Sequence, residues 1–302
     1  MFGIDYIIIA VFALIFLLIG TIGRPGNRSE SFLISGRDLG AGASGMTIAA
    51  STVGAGTIVT YSSLVFTFGY HALWLFAGYV FGYAVFYLFA LRLLKESQKH
   101  QFYTLADFFQ HHFGKNVSLA IGLLCVLSLF GWIVTNFIAG GKMLAFATGL
   151  SVEVSTIVIA AVIVPYLLVG GFSSVVKTDF VQFLALLIIV ILLTVVFLTS
   201  DGLKLEALDS YMGIGEILTF FFTGLFIPMG SAEMWQRVYA TKNKRELGKA
   251  IGVASISFLV VGSALLIICL VLKSSLGELE KSEIDTALLS GCLLYTSPSP
   301  RD

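Results

Sequence analysis

The chain has 302 residues, of which 57% are hydrophobic and 12% charged, against roughly 25% charged in an ordinary soluble domain. With 26 Phe and 11 Tyr and a mean hydropathy of +0.95, too little polar surface exists to face water, so lipid is the solvent for most side chains. Lys plus Arg (18) balance Asp plus Glu (18), which removes any net-charge argument for a nucleic-acid partner. Three Cys make no disulfide framework and no zinc-type spacing is present. Cys125 and Cys269 sit in apolar runs, where buried, unreactive thiols are expected.

Apolar runs long enough to cross a bilayer as helix number about eight. In chain order they are Ile4–Ile22, Ala43–Phe68, Ala72–Leu94, Val117–Gly140, Val154–Gly171, Thr178–Ser200, Gly215–Ala232 and Ala250–Leu272. The first lacks the basic leader and the small-residue cleavage site of a signal peptide, so it is read as a helix. Lys and Arg concentrate in alternate loops and helix ends: Arg24, Arg28, Arg37, Arg92, Lys95, Lys99, Lys115, Lys177, Arg237, Lys242, Lys244, Arg245 and Lys249 fall on one side. Lys142, Lys204, Lys273 and Lys281 fall on the other. Cytoplasmic loops are the basic ones, so the asymmetry predicts a multi-pass protein of the plasma (cytoplasmic) membrane with its N-terminus outside. The acidic loop with Asp201, Glu206 and Asp209 then also lies outside.

One membrane domain accounts for residues 1–291. Residues 292–302, CLLYTSPSPRD, have no helical period and resemble an in-frame translation of a transposon-type sequencing adaptor. They are expected to be a non-native tail and are set aside from the fold.

Two spans carry helix-weakening residues at comparable places. In the second, Ala50–Gly56 brings Gly54 and Gly56 to mid-membrane; in the seventh, Gly224, Pro228 and Gly230 do so. Gly weakens a helix by about 1 kcal/mol and Pro by about 3. Unwound backbone at membrane depth survives only where it lines a protected cavity, and a pair of such segments in two halves of a chain points to a transporter's binding site. The competing explanation is close helix packing at glycine. His100, His111 and His112 fall in the third loop and read as solvated residues.

Four strings together resemble the sodium:solute symporter family. They are Ser31–Gly40 at the entry to the first core helix, Thr104–Gly114 before the third, Gly170–Ser174 with Val176–Gln182 as the family's most diagnostic segment, and Trp235–Arg237 with Ala240 and the basic stretch to Lys249 after the sixth. The resemblance implies an all-α integral membrane protein with a leucine-transporter-like inverted-repeat fold, present in part: a peripheral helix, the first repeat and the start of the second. It implies a sodium-coupled symporter of a small polar solute working by alternating access, not an enzyme, with Na+ as coupling ion, no cofactor, and lipid and a small molecule as partners. An alternative is the membrane sensor domain of a symporter-like histidine kinase, since some proteins join these helices to a kinase.

Residue roles implied by the resemblance follow position by position. The backbone carbonyls of Ala50 and Val53 correspond to sodium ligands at the unwound first core helix, and Asp179 to an acidic residue on the sodium exit route. The hydroxyl ligands of the eighth core helix lie beyond these residues, so this chain taken alone is expected not to transport. Asp179 has a second reading as a helix N-terminal residue beside Thr178, stabilised by the macrodipole. Gly56, Thr57, Phe76, Gly224 and Ile227 correspond to the solute site, where sugar-transporting relatives carry amides or carboxylates, which disfavours a sugar. Trp235 and Arg237 correspond to an inner gate, although an interfacial Trp and a positive-inside Arg need no further role.

Overall fold

A backbone immersed in lipid must satisfy its own N–H and C=O groups, so apolar runs of this length become helices. The computed structural model describes residues 3–22, 29–200, 212–276 and 286–291, and the described chain is helical almost throughout. The helices are α1 (Gly3–Ile22), α2 (Ser29–Ile34), α3 (Ala41–Thr52), α4 (Ala55–Phe68), α5 (Leu73–His100), α6 (Leu105–Phe113), α7 (Lys115–Thr148), α8 (Val152–Ser200), α9 (Ile214–Gly230), α10 (Ala232–Ala240) and α11 (Lys244–Leu276). Arg24, Arg28, the acidic loop at 201–211, Lys281 and the 292–302 segment lie outside the described residues.

By length and composition, four helical stretches among the described residues suffice to cross a bilayer, or five with the bent pair α9 and α10 taken as one span. Ile9–Ile19 and Val152–Pro165 are shorter apolar helices. The eight runs read from the sequence nevertheless all lie in helix apart from the residues that break them. The tally is lower because α4 and α5 are joined through the tight turn Gly69–Ala72 and the apolar part of the fifth run, Val152–Pro165, is short. On α7, Leu119, Leu123, Leu127 and Phe130 point outward, the pattern of a face solvated by lipid.

The helix pairing has a reciprocal form. The first broken helix, through α3, packs most extensively on α11, while the second, through α9, packs most extensively on α5. Each broken helix thus rests on the helix that follows the other one, as expected when two halves of a chain share an architecture in inverted orientation. The core between them is aromatic: Phe76 stacks on Phe258 with centroids 4.4 Å apart, lies 4.2 Å from Tyr61, and Tyr79 lies 4.6 Å from Phe258.

The four diagnostic strings meet at one end of the molecule, the end holding most of the Lys and Arg. Ser173 donates to the Ser31 carbonyl and lies 2.9 Å from the Ser35 hydroxyl. Arg37 pairs with Glu30 at 2.7 Å and donates to the Phe102 carbonyl. Gln236 donates to the Leu33 carbonyl, and Leu39 bridges to Thr241. In the loop, Asp38 pairs with Lys242 at 2.8 Å and holds its ammonium above the usual lysine range. Gly171 turns α8 within this cluster with φ +56°, and a Cβ there would press into Phe32; only glycine meets both demands. The helix resumes at once, so the sixth apolar run begins structurally at residue 172 rather than Thr178.

Candidate functional site

The first break falls at Val53 and Gly54. Val53 (φ −104°, ψ 79°) closes α3 and Gly54 (φ −103°, ψ 179°) opens α4. A broken helix exposes carbonyls on one side and N–H groups on the other, and both need partners in a membrane. Asn136 of α7 accepts from the Gly56 N–H at 3.2 Å, and the Thr57 hydroxyl donates to the Thr52 carbonyl at 2.6 Å. Ala50 lies in the last turn of α3 and Val53 is the first residue outside it.

The second break is at Ser231, directly after Gly230, while Gly224 and Pro228 stay within the helix. Helix α9 runs unbroken through Gly224 and Pro228 to Gly230, and α10 departs at 49° after Ser231. The carbonyls at the bend are met locally: Ile227 accepts from both the N–H and the hydroxyl of Ser231, the latter at 2.8 Å, and the Trp235 indole reaches back across the bend to Met229 at 2.9 Å. Gly224 instead serves close packing. A Cβ there would overlap the Leu75 carbonyl and the Tyr79 amide, and Gly78 faces Phe221 in the same way.

Both breaks border one cavity of about 540 Å³, an ordinary size for a small-molecule site. Its walls come from Ser51 and Thr52 at the first break, Ile227, Pro228 and Gly230 to Met234 at the second, Tyr79 of α5, and Ser128, Trp132 and Thr135 of α7. Hydroxyls dominate the polar lining, and Glu233 is its one charged residue. Cys125 also lines this cavity and is half-buried rather than sealed in the core, while Cys269 is buried as expected.

Of the five positions matched to the solute site, Ile227 lines the cavity. Gly56 and Thr57 stand at the first turn of α4 beside it, Gly56 in contact with Thr135. Phe76 is buried in the aromatic core and Gly224 in the interface of α5 and α9. The contrast with sugar-transporting relatives at those last two positions therefore carries no information about the cavity wall.

Asp179 stands two turns inside the second limb of α8, so a helix N-terminus does not explain it. Its carboxylate accepts from the buried Thr47 hydroxyl, one turn before Ala50 on α3, and pairs with Arg237 at 3.6 Å. Arg237 is itself buried, with 6% exposure. Its guanidinium donates to the Thr47 carbonyl at 3.0 Å and to the Glu233 carbonyl at 3.0 Å, and lies 5.6 Å from the Phe172 ring centroid. One side chain thus ties α3, α8 and α10 together below the first break. Trp235 rests against Phe108 and Phe109 of α6. Sequence reading overlooked Asn136, Thr47 and Glu233; a lone amide inside the apolar run Val117–Gly140 was the available signal for the first.

The sodium:solute symporter family model matches residues 32–275. A sodium/proline symporter of Staphylococcus aureus (strain Newman) is 31% identical over 199 residues, covering 63% of this chain and 39% of the relative. Sodium/proline symporter 2 of Staphylococcus saprophyticus is 27% identical over 220 residues, covering 70% and 42%. The chain therefore spans about two-fifths of the length of these curated relatives. Among solved structures, a Na+-coupled sialic acid symporter in a substrate-bound outward-open state superposes with a TM-score of 0.79 at 15% identity, over 98% of this chain and 66% of that one. At that identity the likeness establishes a shared leucine-transporter-like fold.

Proposed function

We propose that this chain, which belongs to the sodium:solute symporter family, carries one wall of the solute site and the first-repeat half of a sodium site in a sodium-coupled symporter. The single observation behind this reading is that two broken helices from opposite halves of the fold border one cavity. Carbonyls released at Ala50 and Val53 offer oxygen ligands to a hard cation without a buried charge. Asp179, joined through Thr47 to the same helix, supplies a carboxylate on the ion's path. Inward movement of one charge at about 100 mV contributes roughly 2.3 kcal/mol, and a tenfold sodium gradient about 1.4 more, enough to sustain a solute gradient of roughly a few hundredfold.

The solute is small and polar. Hydroxyls with a single carboxylate, Glu233, suit an amine-bearing zwitterion, in keeping with the sodium/proline symporters among the relatives. Trp235 and Arg237 stabilise the closed inner end, Trp235 by bridging the bend and Arg237 by tying three helices.

Replacing Asp179 with Asn keeps side-chain volume and hydrogen-bonding capacity while removing the charge. In the full-length protein this variant is expected to raise the sodium concentration for half-maximal uptake by about tenfold, a coupling near 1.4 kcal/mol. Unchanged sodium activation would reduce Asp179 to a structural partner of Arg237.

The basic end of the molecule is cytoplasmic in this reading. Cys at Asn243, in the loop before α11, should then resist a membrane-impermeant maleimide in intact cells, while Cys at Ser151, between α7 and α8, should react. The opposite labelling pattern contradicts the orientation.

A further inference from the structure

We infer that Glu96, His100 and His111 form a binding site for one divalent metal ion of the zinc class, at the basic end and apart from the solute cavity. Glu96 and His100 lie four residues apart on α5 and so share a face; the carboxylate is 3.6 Å from His100 Nε2. Such a pair alone is an ordinary helix contact. The third group comes from a different helix, delivered by a constructed turn.

Helix α5 ends at Gln101 in the left-handed conformation, the chain reverses through Phe102, and α6 starts at a capping box formed by Thr104 and Asp107. Two turns later His111 returns to His100, with ring centroids 4.1 Å apart. Phe102 stands beside both imidazoles, 5.6 Å from each, and restricts how they turn.

One ligand atom from each of the three residues lies within 4.8 Å of the others. Ligands on a tetrahedral zinc ion sit roughly 3.3 Å apart, given bonds of about 2.0–2.1 Å, so the three groups stand within about 1.5 Å of that spacing. Glu96 and His100 are half-buried and His111 is exposed, which leaves a coordination position for water or for His112, whose ring is 5.0 Å from His111. Two imidazoles and a carboxylate suit Zn2+ and its neighbours, whereas Mg2+ and Ca2+ prefer oxygen alone. The separation of His100 from His111 matches no zinc spacing in the sequence, so only the fold reveals the set. A bound ion would fasten α6 to α5 behind Phe108 and Phe109, the rings that rest on Trp235 of the bent helix.

The test is calorimetric titration of the purified 302-residue chain, carrying no polyhistidine tag, with zinc chloride in the presence of excess Mg2+ and Ca2+. One site saturating at micromolar zinc is expected. His111→Gln, at an exposed position, should weaken it by at least about tenfold, and His100→Gln with His111→Gln should abolish it, with circular dichroism unchanged. Absence of micromolar binding, or binding that survives His111→Gln at full affinity, overturns the assignment; the single variant decides if the double one does not fold.

Discussion

Arg237→Ala is expected to remove most folded protein from the membrane, through a loss of about 3–5 kcal/mol. That is the usual cost of deleting one partner of a buried charge pair. The substitution strips donors from the Thr47 and Glu233 carbonyls and leaves the Asp179 carboxylate beside a void. The Thr47 carbonyl keeps the Ser51 hydroxyl and the carboxylate keeps the Thr47 hydroxyl, so the lost charge partner is the main cost. Combining Arg237→Met with Asp179→Asn should be less damaging than the sum of the two single changes, because the orphaned charge disappears together with its partner. Thermal midpoints and steady-state levels of the purified variants measure this. An Arg237→Ala protein with parental stability would mean that the guanidinium serves no structural purpose.

Gly224→Val is the second large effect. The glycine sits where α9 meets α5, and any Cβ would overlap backbone atoms of Leu75 and Tyr79 rather than a flexible side chain. Backbone cannot rotate away, so the helices must separate, at a cost of about 3 kcal/mol or more. Separation would also distort the cavity, since Tyr79 and Ile227 line it from these two helices. Gly230→Ala is the control, because nothing lies within 4 Å of a Cβ at that position. Equal yields and gel-filtration profiles for the two variants would refute the packing role of Gly224.

The two glycine-bearing spans show what can be read from a membrane sequence and what cannot. At Gly54 the weak helix former and the break coincide, because α7 brings Asn136 to satisfy the opened backbone. At Gly224 an equally weak former stays helical, because close contact with α5 outweighs its propensity, and the chain breaks further on at Ser231. Pro228 removes the N–H that would bond the Gly224 carbonyl, yet the bend comes later, at Ser231, where the Trp235 indole meets the Met229 carbonyl. Propensity locates candidate weak points; partners supplied from distant helices decide which of them open.

The apolar runs were legible because the bilayer fixes their length, and the end-clustered strings because each had to fit the others around Gly171 and Arg37. The depth of Arg237 was not legible. Its position among basic residues suggested an interfacial cation, and only its hydrogen bond to α3 and its ion pair with Asp179 on α8 reveal a buried tie. Phe76 was similarly ambiguous, since an aromatic residue on α5 could face the cavity or Phe258, and rotation of the helix about its axis sets the answer.

Uptake by proteoliposomes containing the full-length protein tests the proposed coupling most directly. Radiolabelled proline and a neutral hexose are compared under an inward sodium gradient with the interior negative. The account predicts accumulation of the amine-bearing solute above its external concentration only while the sodium gradient lasts, with collapse on adding a sodium ionophore. Accumulation indifferent to sodium, or of the hexose in place of the zwitterion, would contradict it.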